Sequence, residues 1–287
     1  MQDELAAGRV VVIAGYQGVS YRREVTTLGR GGSDTTAVAM AAALGAEHCE
    51  ICSDVDGVYT ADPRVLVSAR RIPVLSYEET QELAESGAKV LNAQAVEFAK
   101  EKGIAIYARA TSSPLPGVDP SADGTVVRRY PPRLPGTVVG VASERDVIVL
   151  ESSVDPADLL ALLDSLQVAG KQLNHSVMNG ADHLTLVLSQ DNLHQEALLR
   201  DALTGRFADR VRVNGDLSAV SVVGAGINAS FDNVRRGADA LRLAGLAPRG
   251  VATSSFRITW MVPRTTLERA VRALHRTFLE QPSQPVP

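Results

Sequence analysis

The sequence predicts an α/β protein in which a mostly parallel, helix-covered sheet is followed by two smaller units of repeated pattern. The continuous apolar run at residues 10–14 reads as a strand buried on both faces, as strands of parallel sheets are. Short apolar runs of this kind alternate with helical stretches carrying their own start and stop signals. Beyond a proline-rich stretch, a strand–helix–strand rhythm recurs in two successive spans of similar length.

Each element has a local reason. Asp34 is a helix N-cap residue, residues 35–44 suit a helix, and Gly45 is a natural stop. A strand is expected around Cys49, then a loop rich in Asp, Gly and Pro at residues 53–64. Ser76-Tyr77-Glu78-Glu79 has the form of a capping box and opens a helix ending near Gly87. Residues 93–102 fit a helix and 104–109 a strand. Six prolines between Thr111 and Gly136 interrupt regular structure, which places a boundary at 130–136.

After it, strand 146–150 leads to a helix capped by Asp155-Pro156, then strand 184–188 and helix 192–203. The second unit reads as strand 219–223, helix 233–244 and strand 256–262. In that last strand Phe256, Ile258, Trp260 and Val262 alternate with Arg257, Thr259 and Met261, which predicts one well-buried face. Thr265-Thr266-Leu267-Glu268 is a second expected capping box. It opens a helix whose stripe is Leu267, Ala270, Val271, Leu274 and Phe278.

Composition narrows the function classes. The 287 residues carry 45% hydrophobic and 22% charged side chains, an ordinary globular balance. A formal net charge of -4 argues against nucleic acid or an anionic membrane as partner. No apolar run approaches the roughly 20 residues of a membrane span, and the acidic start Met1-Gln2-Asp3-Glu4 is unlike a secretion signal, so a cytoplasmic protein is expected. Cys49 and Cys52 lie three apart in an expected strand and so point to opposite faces. They read as structural residues and not as a metal or redox pair.

Two motifs carry chemistry. Thr26-Thr27-Leu28-Gly29-Arg30-Gly31-Gly32-Ser33-Asp34 leads into a helix. Glycines let backbone N–H groups approach a phosphate, and the helix start adds unpaired donors and a positive dipole end. Arg30 can grip a carboxylate or phosphate through two parallel hydrogen bonds, and Ser33 is a neutral donor. A bare glycine turn closing on a helix would not need Arg, Ser and Asp within it. The second motif, Ser53-Asp54-Val55-Asp56-Gly57-Val58-Tyr59-Thr60-Ala61-Asp62-Pro63-Arg64, follows a strand. It therefore falls at the sheet's carboxyl edge, where open α/β sheets bind ligands. Asp54 could accept from a ribose hydroxyl or support a metal, Tyr59 could flank a base, and Arg64 could meet phosphate; the alternative is a surface turn. Lys89, in Gly87-Ala88-Lys89-Val90-Leu91, could reach a phosphate or simply offset a helix dipole.

Together, GRGGSD at residues 29–34, SDVDGVYTADPR at 53–64 and GAKVL at 87–91 closely resemble aspartate kinases of the amino-acid kinase superfamily. The resemblance is strong over residues 10–127 and continues more weakly beyond, where the chain looks like paired ACT domains. It implies a partial three-layer αβα sheet followed by two ferredoxin-like βαββαβ units. The implied boundaries are 1–130 for the kinase part, 131–136 for a linker, 137–210 for the first ACT-like unit and 211–287 for the second.

By the same resemblance the reaction passes the γ-phosphoryl group of ATP, with Mg2+, to the side-chain carboxylate of L-aspartate, on the route to lysine, threonine and methionine. Arg30, Ser33 and Asp34 would serve the substrate. Gly29, Gly31, Gly32, Ser53, Asp54, Tyr59, Arg64 and Lys89 would serve ATP, with the metal carried by the nucleotide and no direct side-chain ligand. Lysine or threonine would act as effector, and the ACT-like units would assemble homodimers or hetero-oligomers.

This sequence also departs from the family. The Lys-Phe-Gly-Gly-Thr-Ser strand that normally opens the kinase domain is absent, so residues 1–130 are expected to be its C-terminal half, through a misplaced start or a real truncation. Leu91-Asn92-Ala93 replaces Leu-His-Pro. In the first ACT-like unit Asp155-Pro156-Ala157 lacks the usual glycine, and Asn174 stands where Asp is usual. The second keeps Val222-Val223-Gly224-x-Gly226 and Thr253-Ser254. The alternative function is a non-catalytic regulatory subunit that binds an amino acid and a full-length kinase subunit.

Overall fold

The computed structural model describes residues 1–29, 31–88, 90–113, 119–129, 133–190, 193 and 195–280. A short helix α1 (Gln2–Ala6) and a hairpin of β1 (Gln17–Val19) and β2 (Val25–Thr27) precede α2 (Gly32–Leu44). Next come β3 (His48–Ser53), β4 (Val74–Leu75), α3 (Tyr77–Glu85), α4 (Ala93–Lys102), β5 (Ala105–Ala110) and β6 (Gly124–Val127). The four strands β3 to β6 form one sheet in the order β3-β5-β6-β4. β3 pairs with β5 and β4 with β6 in parallel, whereas β5 and β6 are antiparallel. The sheet is thus mixed; an antiparallel pair such as β5 and β6 needs no crossover helix.

The helix signals act largely as expected. Ser76 Oγ accepts from the Glu79 amide at 3.0 Å, while Glu79 Oε2 accepts from the Ser76 amide at 2.9 Å. Asn92 Oδ1 caps α4 at the Ala95 amide, and Gly103 ends it in a left-handed conformation. At α2 the start differs from the expected Asp34 cap. Gly31 is the N-cap residue, with φ 77°, and Asp34 lies inside the first turn. Its carboxylate is turned away, toward the Asn92 amide at 3.3 Å.

Residues 10–14 form no strand, contrary to expectation, and Val10 and Val12 are 91% and 92% exposed. β3 is the edge strand on that side, and the apolar run makes no ladder with it. An apolar run becomes a strand only when its backbone groups are paired. Cys49 is buried and Cys52 exposed, both free, as opposite faces of β3 require.

The rest of the chain forms two antiparallel sheets. After β7 (Gly140–Glu144) come β8 (Val147–Ser152), α5 (Pro156–Ser165), β9 (Gln172–Met178), β10 (Ala181–Ser189), α6 (Glu196–Phe207) and β11 (Val211–Asn214). The expected start of α6, at residue 192, lies outside the described residues. β8 to β11 make a βαββαβ unit in the order β11-β8-β10-β9. The chain ends with β12 (Leu217–Val223), α7 (Asp232–Leu243), β13 (Gly250–Thr253), β14 (Arg257–Pro263), α8 (Leu267–His275) and a wide turn, Arg276–Glu280.

The second sheet has the order β13-β14-β12-β7. Its fourth strand comes from ahead of the first unit, with Val222 opposite Val141 and Ala219 opposite Glu144. The expected unit 137–210 is therefore corrected: residues 140–144 complete the second sheet, and β8 to β11 are inserted between two of its strands. Adjacency in sequence misleads here because ladder hydrogen bonds, not chain order, decide membership.

β14 is also buried on both faces, not one. Ile258, Trp260 and Val262 meet α7 and α8, while Met261 joins Val147, Val149, Val187, Leu217 and Ala219 between the two sheets. Trp260 fits only because residue 237 on α7 is glycine, where a Cβ would sit 2.3 Å from the ring. The expected capping box at 265–268 does not form. A short 3-10 turn precedes α8, and Glu268 instead pairs with Arg145 and Arg272. The expected stripe of α8 is buried as read.

The kinase-side unit and the second βαββαβ sheet share their interiors. Val139, Ala142 and Val223 lie in the core built on α2 to α4, and Ala61 lies in the core built on Trp260. Among the described residues, no helix is long and apolar enough to cross a membrane.

Within the proline-rich stretch, Arg133 returns to α3. Its guanidinium pairs with Glu79 at 2.8 Å and donates to the Val74 carbonyl. Glu79 is 1% exposed, so removing Arg133 leaves a buried carboxylate without its ion partner. We expect Arg133→Ala to cost about 3 kcal/mol, measured by chemical denaturation; a loss below about 0.5 kcal/mol would contradict it.

Candidate active site

The site is assembled where helices start. α2 reverses through Gly45 into β3, so its N-terminus lies at the edge where β3 ends at Ser53. α4 leads into β5 in the same way, which brings Asn92 to that edge. This is the carboxyl end of the parallel pair β3 and β5, the position at which α/β sheets bind ligands.

At the α2 start, Gly29 and Gly31 have φ of 80° and 77°, a backbone that side chains rarely adopt. Asn92 packs onto Gly31 so closely that a Cβ there would lie 2.3 Å from its amide nitrogen. Gly32 is buried against Leu28 and Tyr16, and Ser33 is exposed. Thr36 Oγ accepts from the Tyr16 amide and donates to the Gly32 carbonyl, which ties the preceding segment to the helix. Burial pushes the Asp34 carboxyl above its ordinary pKa, and the Asn92 N–H opposes part of that shift.

The 53–64 loop is fixed from below. Thr125 on β6 is fully buried; its hydroxyl accepts from the Val58 amide at 2.9 Å and donates to the Ile72 carbonyl at 2.7 Å. Gly57, with φ 138°, is required there because a Cβ would meet the Thr125 oxygen at 2.6 Å. Ser53 closes a tight turn with Val55, and its carbonyl accepts from Thr111. The Tyr59 hydroxyl donates to Asp56, which is paired with Arg71, and that bond holds the phenol above its ordinary pKa. Arg64 is 84% exposed and pairs with Asp62 at 2.7 Å. That hydrogen bond holds the Asp62 carboxyl low and the guanidinium high, with the Asp54 charge adding to the latter.

Gly31, Asp34, Asp62, Arg64, Asn92 and Glu144 line one open cleft of about 910 Å3 between the kinase-side unit and β7. Ser33, Ser53, Asp54 and Tyr59 are not part of its lining, and Arg30 and Lys89 lie outside the described residues. Sequence reasoning missed Asn92 and Thr125 as organisers of the site. Asn92 had a visible signal, a cap residue before a helix, but nothing indicated that it seats on Gly31. Among the described residues, no cluster of three or more His, Cys, Asp or Glu side chains could hold a metal.

A glycine-bent helix start and an acidic loop at the carboxyl edge of an α/β sheet make the first unit an α/β domain with a ligand-binding edge, and two smaller four-stranded α/β units follow it. Residues 1–108 match the amino acid kinase family. The chain is 35% identical to an aspartokinase of Mycolicibacterium smegmatis, over 97% of this chain and 68% of that protein. Among solved structures, E. coli aspartokinase III in complex with aspartate and ADP (R-state) superposes with a TM-score of 0.78 at 27% identity, over 93% of this chain and 60% of that one. The same enzyme with lysine and aspartate (T-state) gives a TM-score of 0.69 at 27% identity, over 92% of this chain and 59% of that one. The chain belongs to the aspartokinase family, and it spans about three fifths of the length of those solved relatives.

The Gly31–Asn92 contact gives a direct test. We expect Gly31→Ala to cost about 2 kcal/mol, from left-handed strain plus the clash. Urea denaturation would measure it, and a neutral substitution would show that the helix start is not so constrained.

Proposed function

We propose that the chain binds ATP, Mg2+ and L-aspartate in the cytoplasm and forms the C-terminal part of an aspartokinase site. In the reaction a carboxylate oxygen of aspartate attacks the γ-phosphorus, the bond to the bridging oxygen of ADP breaks, and 4-phospho-aspartate and ADP leave. Such a transfer needs alignment and neutralisation of charge more than covalent help. The observation that carries this reading is the GRGGSD turn seated at the α2 N-terminus, beside the 53–64 loop.

The backbone N–H groups of Gly29 and Gly31 and the positive end of α2 suit phosphate oxygens, while the Gly32 N–H closes the turn onto the Gly29 carbonyl at 3.0 Å. Arg30 suits a substrate carboxylate and Ser33 a neutral donation to it. Asp34, half-buried, suits the substrate ammonium. Ser53, Asp54, Tyr59, Arg64 and Lys89 would contact ATP. The described donor set fits Mg2+ only as a phosphate-borne ion, since no acidic cluster is built for it; bound there, it would neutralise charge on the phosphates. Residues 1–130 would be the C-terminal half of a kinase domain, completed by an N-terminal lobe. The βαββαβ units would bind a lysine or threonine effector. β9 supports assembly through these units, since it is an edge strand exposing Leu173, Val177 and Met178.

The test combines ADP and aspartate titrations with hydroxylamine trapping of the acyl phosphate. We expect Arg30→Ala to lower kcat/KM on the order of 100-fold. A chain that binds neither ligand overturns the reading. Binding without turnover, with turnover gained only beside a full-length homologous subunit, identifies the regulatory-subunit alternative instead.

A further inference from the structure

The loop continuing from the proposed nucleotide segment does not stay in the kinase-side unit. Ala61 is a member of the second sheet's core, and Val65, Leu66 and Ala69 pack against it alongside Leu267, Ala270, Leu274 and Phe278. Thr60 stands where the loop crosses over. Its amide donates to the Arg70 carbonyl at 2.8 Å, and its carbonyl accepts from the Val141 amide at 2.7 Å. Its hydroxyl accepts from the Arg70 amide at 2.9 Å and lies 2.9 Å from His275 Nε2.

His275, at the end of α8, is completely buried, and its Nδ1 lies 3.0 Å from a Glu280 carboxylate oxygen. Ser68 donates to the same oxygen at 2.7 Å, and Arg70 donates to the Leu279 carbonyl at 2.7 Å. The donors and acceptors fix one tautomer. The Glu280 carboxylate only accepts, so Nδ1–H donates to it, and in the neutral imidazole Nε2 is then the acceptor of the Thr60 O–H. A neutral imidazole satisfies every group in the chain.

We propose that His275 is a positioning residue for nucleotide binding: through Thr60 it clasps the C-terminal helix of the second regulatory unit to the 53–64 loop and holds that loop in its binding conformation. This rests on the reading of 53–64 as the nucleotide loop. The consequence is a short mechanical route from the regulatory unit to the nucleotide. A change in α8 reaches Tyr59 one residue from Thr60, and Arg64 four residues on, with no need to pass through the first βαββαβ unit.

Acid supplies a handle that needs no substitution. Charged groups on the elements around His275 are Arg70 from the loop, Arg236 from α7 and Arg276 and Glu280 from the terminal turn. Burial holds the imidazole below its ordinary pKa despite Glu280. The unfolded chain therefore takes up the proton first as pH falls, and the stability that the neutral imidazole contributes is lost between the ordinary histidine value and the lower folded one.

The experiment reads amide hydrogen exchange at Thr60 and Arg70 together with the affinity for MgADP. It compares the wild-type chain, Thr60→Val, His275→Leu, Thr60→Ser and Phe278→Leu, whose folding is checked by near-UV circular dichroism. We expect exchange about tenfold faster and ADP binding about fivefold to tenfold weaker in Thr60→Val and His275→Leu. Thr60→Ser keeps the hydroxyl and stays within about twofold of wild type on both readouts. Phe278→Leu loosens the same core with the clasp atoms in place, so it lowers Tm and leaves ADP affinity unchanged. Should the first two variants not fold, acidification of the wild-type chain must lower the protection of the same two amides relative to their intrinsic exchange rate at each pH.

Unchanged exchange, or ADP affinity that simply tracks Tm across the set, overturns the proposal. A wild-type chain that does not bind MgADP removes the nucleotide reading and the functional half of the proposal with it, while the exchange arm still decides whether the clasp exists.

Discussion

β7 is the constraint on which the molecule depends. Five residues long, it meets the kinase-side unit, the inserted unit and the second sheet. Its backbone pairs with β12 and completes the second sheet. Gly140 lies against Leu83 of α3, where an added Cβ would come within 3.1 Å of a methyl group, and the Val141 amide reaches the Thr60 carbonyl. The Ser143 carbonyl faces Gly87, which must be glycine because a Cβ would sit 2.3 Å away. Glu144 accepts from Lys171 and Ser189 of the inserted unit, each at 2.5 Å. Lys171 in turn donates to the Glu85 carbonyl at the end of α3 at 2.8 Å. A single strand thus fixes the cleft wall, the 53–64 loop and both C-terminal sheets relative to one another.

Polar contacts around β7 extend this coupling. Arg257 on β14 pairs with Glu82 on α3 at 3.3 Å and donates to Ser86, while Ser254 donates to Glu82. These groups are largely buried, so they favour one docking geometry more than they add net stability. Burial with neighbouring acidic charge also lifts the Glu85 carboxyl above its ordinary pKa. The helix bearing these residues runs into the 87–92 segment, whose Asn92 seats on Gly31 and meets Asp34. The interface with the second sheet and the glycine turn are therefore neighbours along one helix and one short loop.

Much of this was legible in the sequence where the determinants are local. Ser76 with Glu79, Asp155-Pro156 and the Gly45 stop each marked a helix end because caps depend on a few adjacent residues. The stripe of α8 was legible for the same reason. Residues 10–14 were misread because strand formation needs a partner that hydropathy does not reveal. β7 was assigned to the wrong unit, and the second face of β14 was missed, since both depend on contacts between residues far apart in the chain. At the site, the glycine turn announced itself by composition. Thr125, Thr60 and His275 did not: a buried hydroxyl or imidazole reads as ordinary until the fold shows which loop it holds.

The pairing of Glu144 with Ala219 makes β7 and β12 the two arms of a hairpin whose connecting loop is an entire folded unit, residues 145–218. Closing so long a loop costs little more than closing a short one, so the insertion is thermodynamically cheap. Its burden is temporal. During synthesis the kinase-side interior waits for Val223, and the Ala61 segment for α8, so neither core can seal until most of the polypeptide has left the ribosome. The inserted unit, with its own closed interior, is free to fold in the meantime.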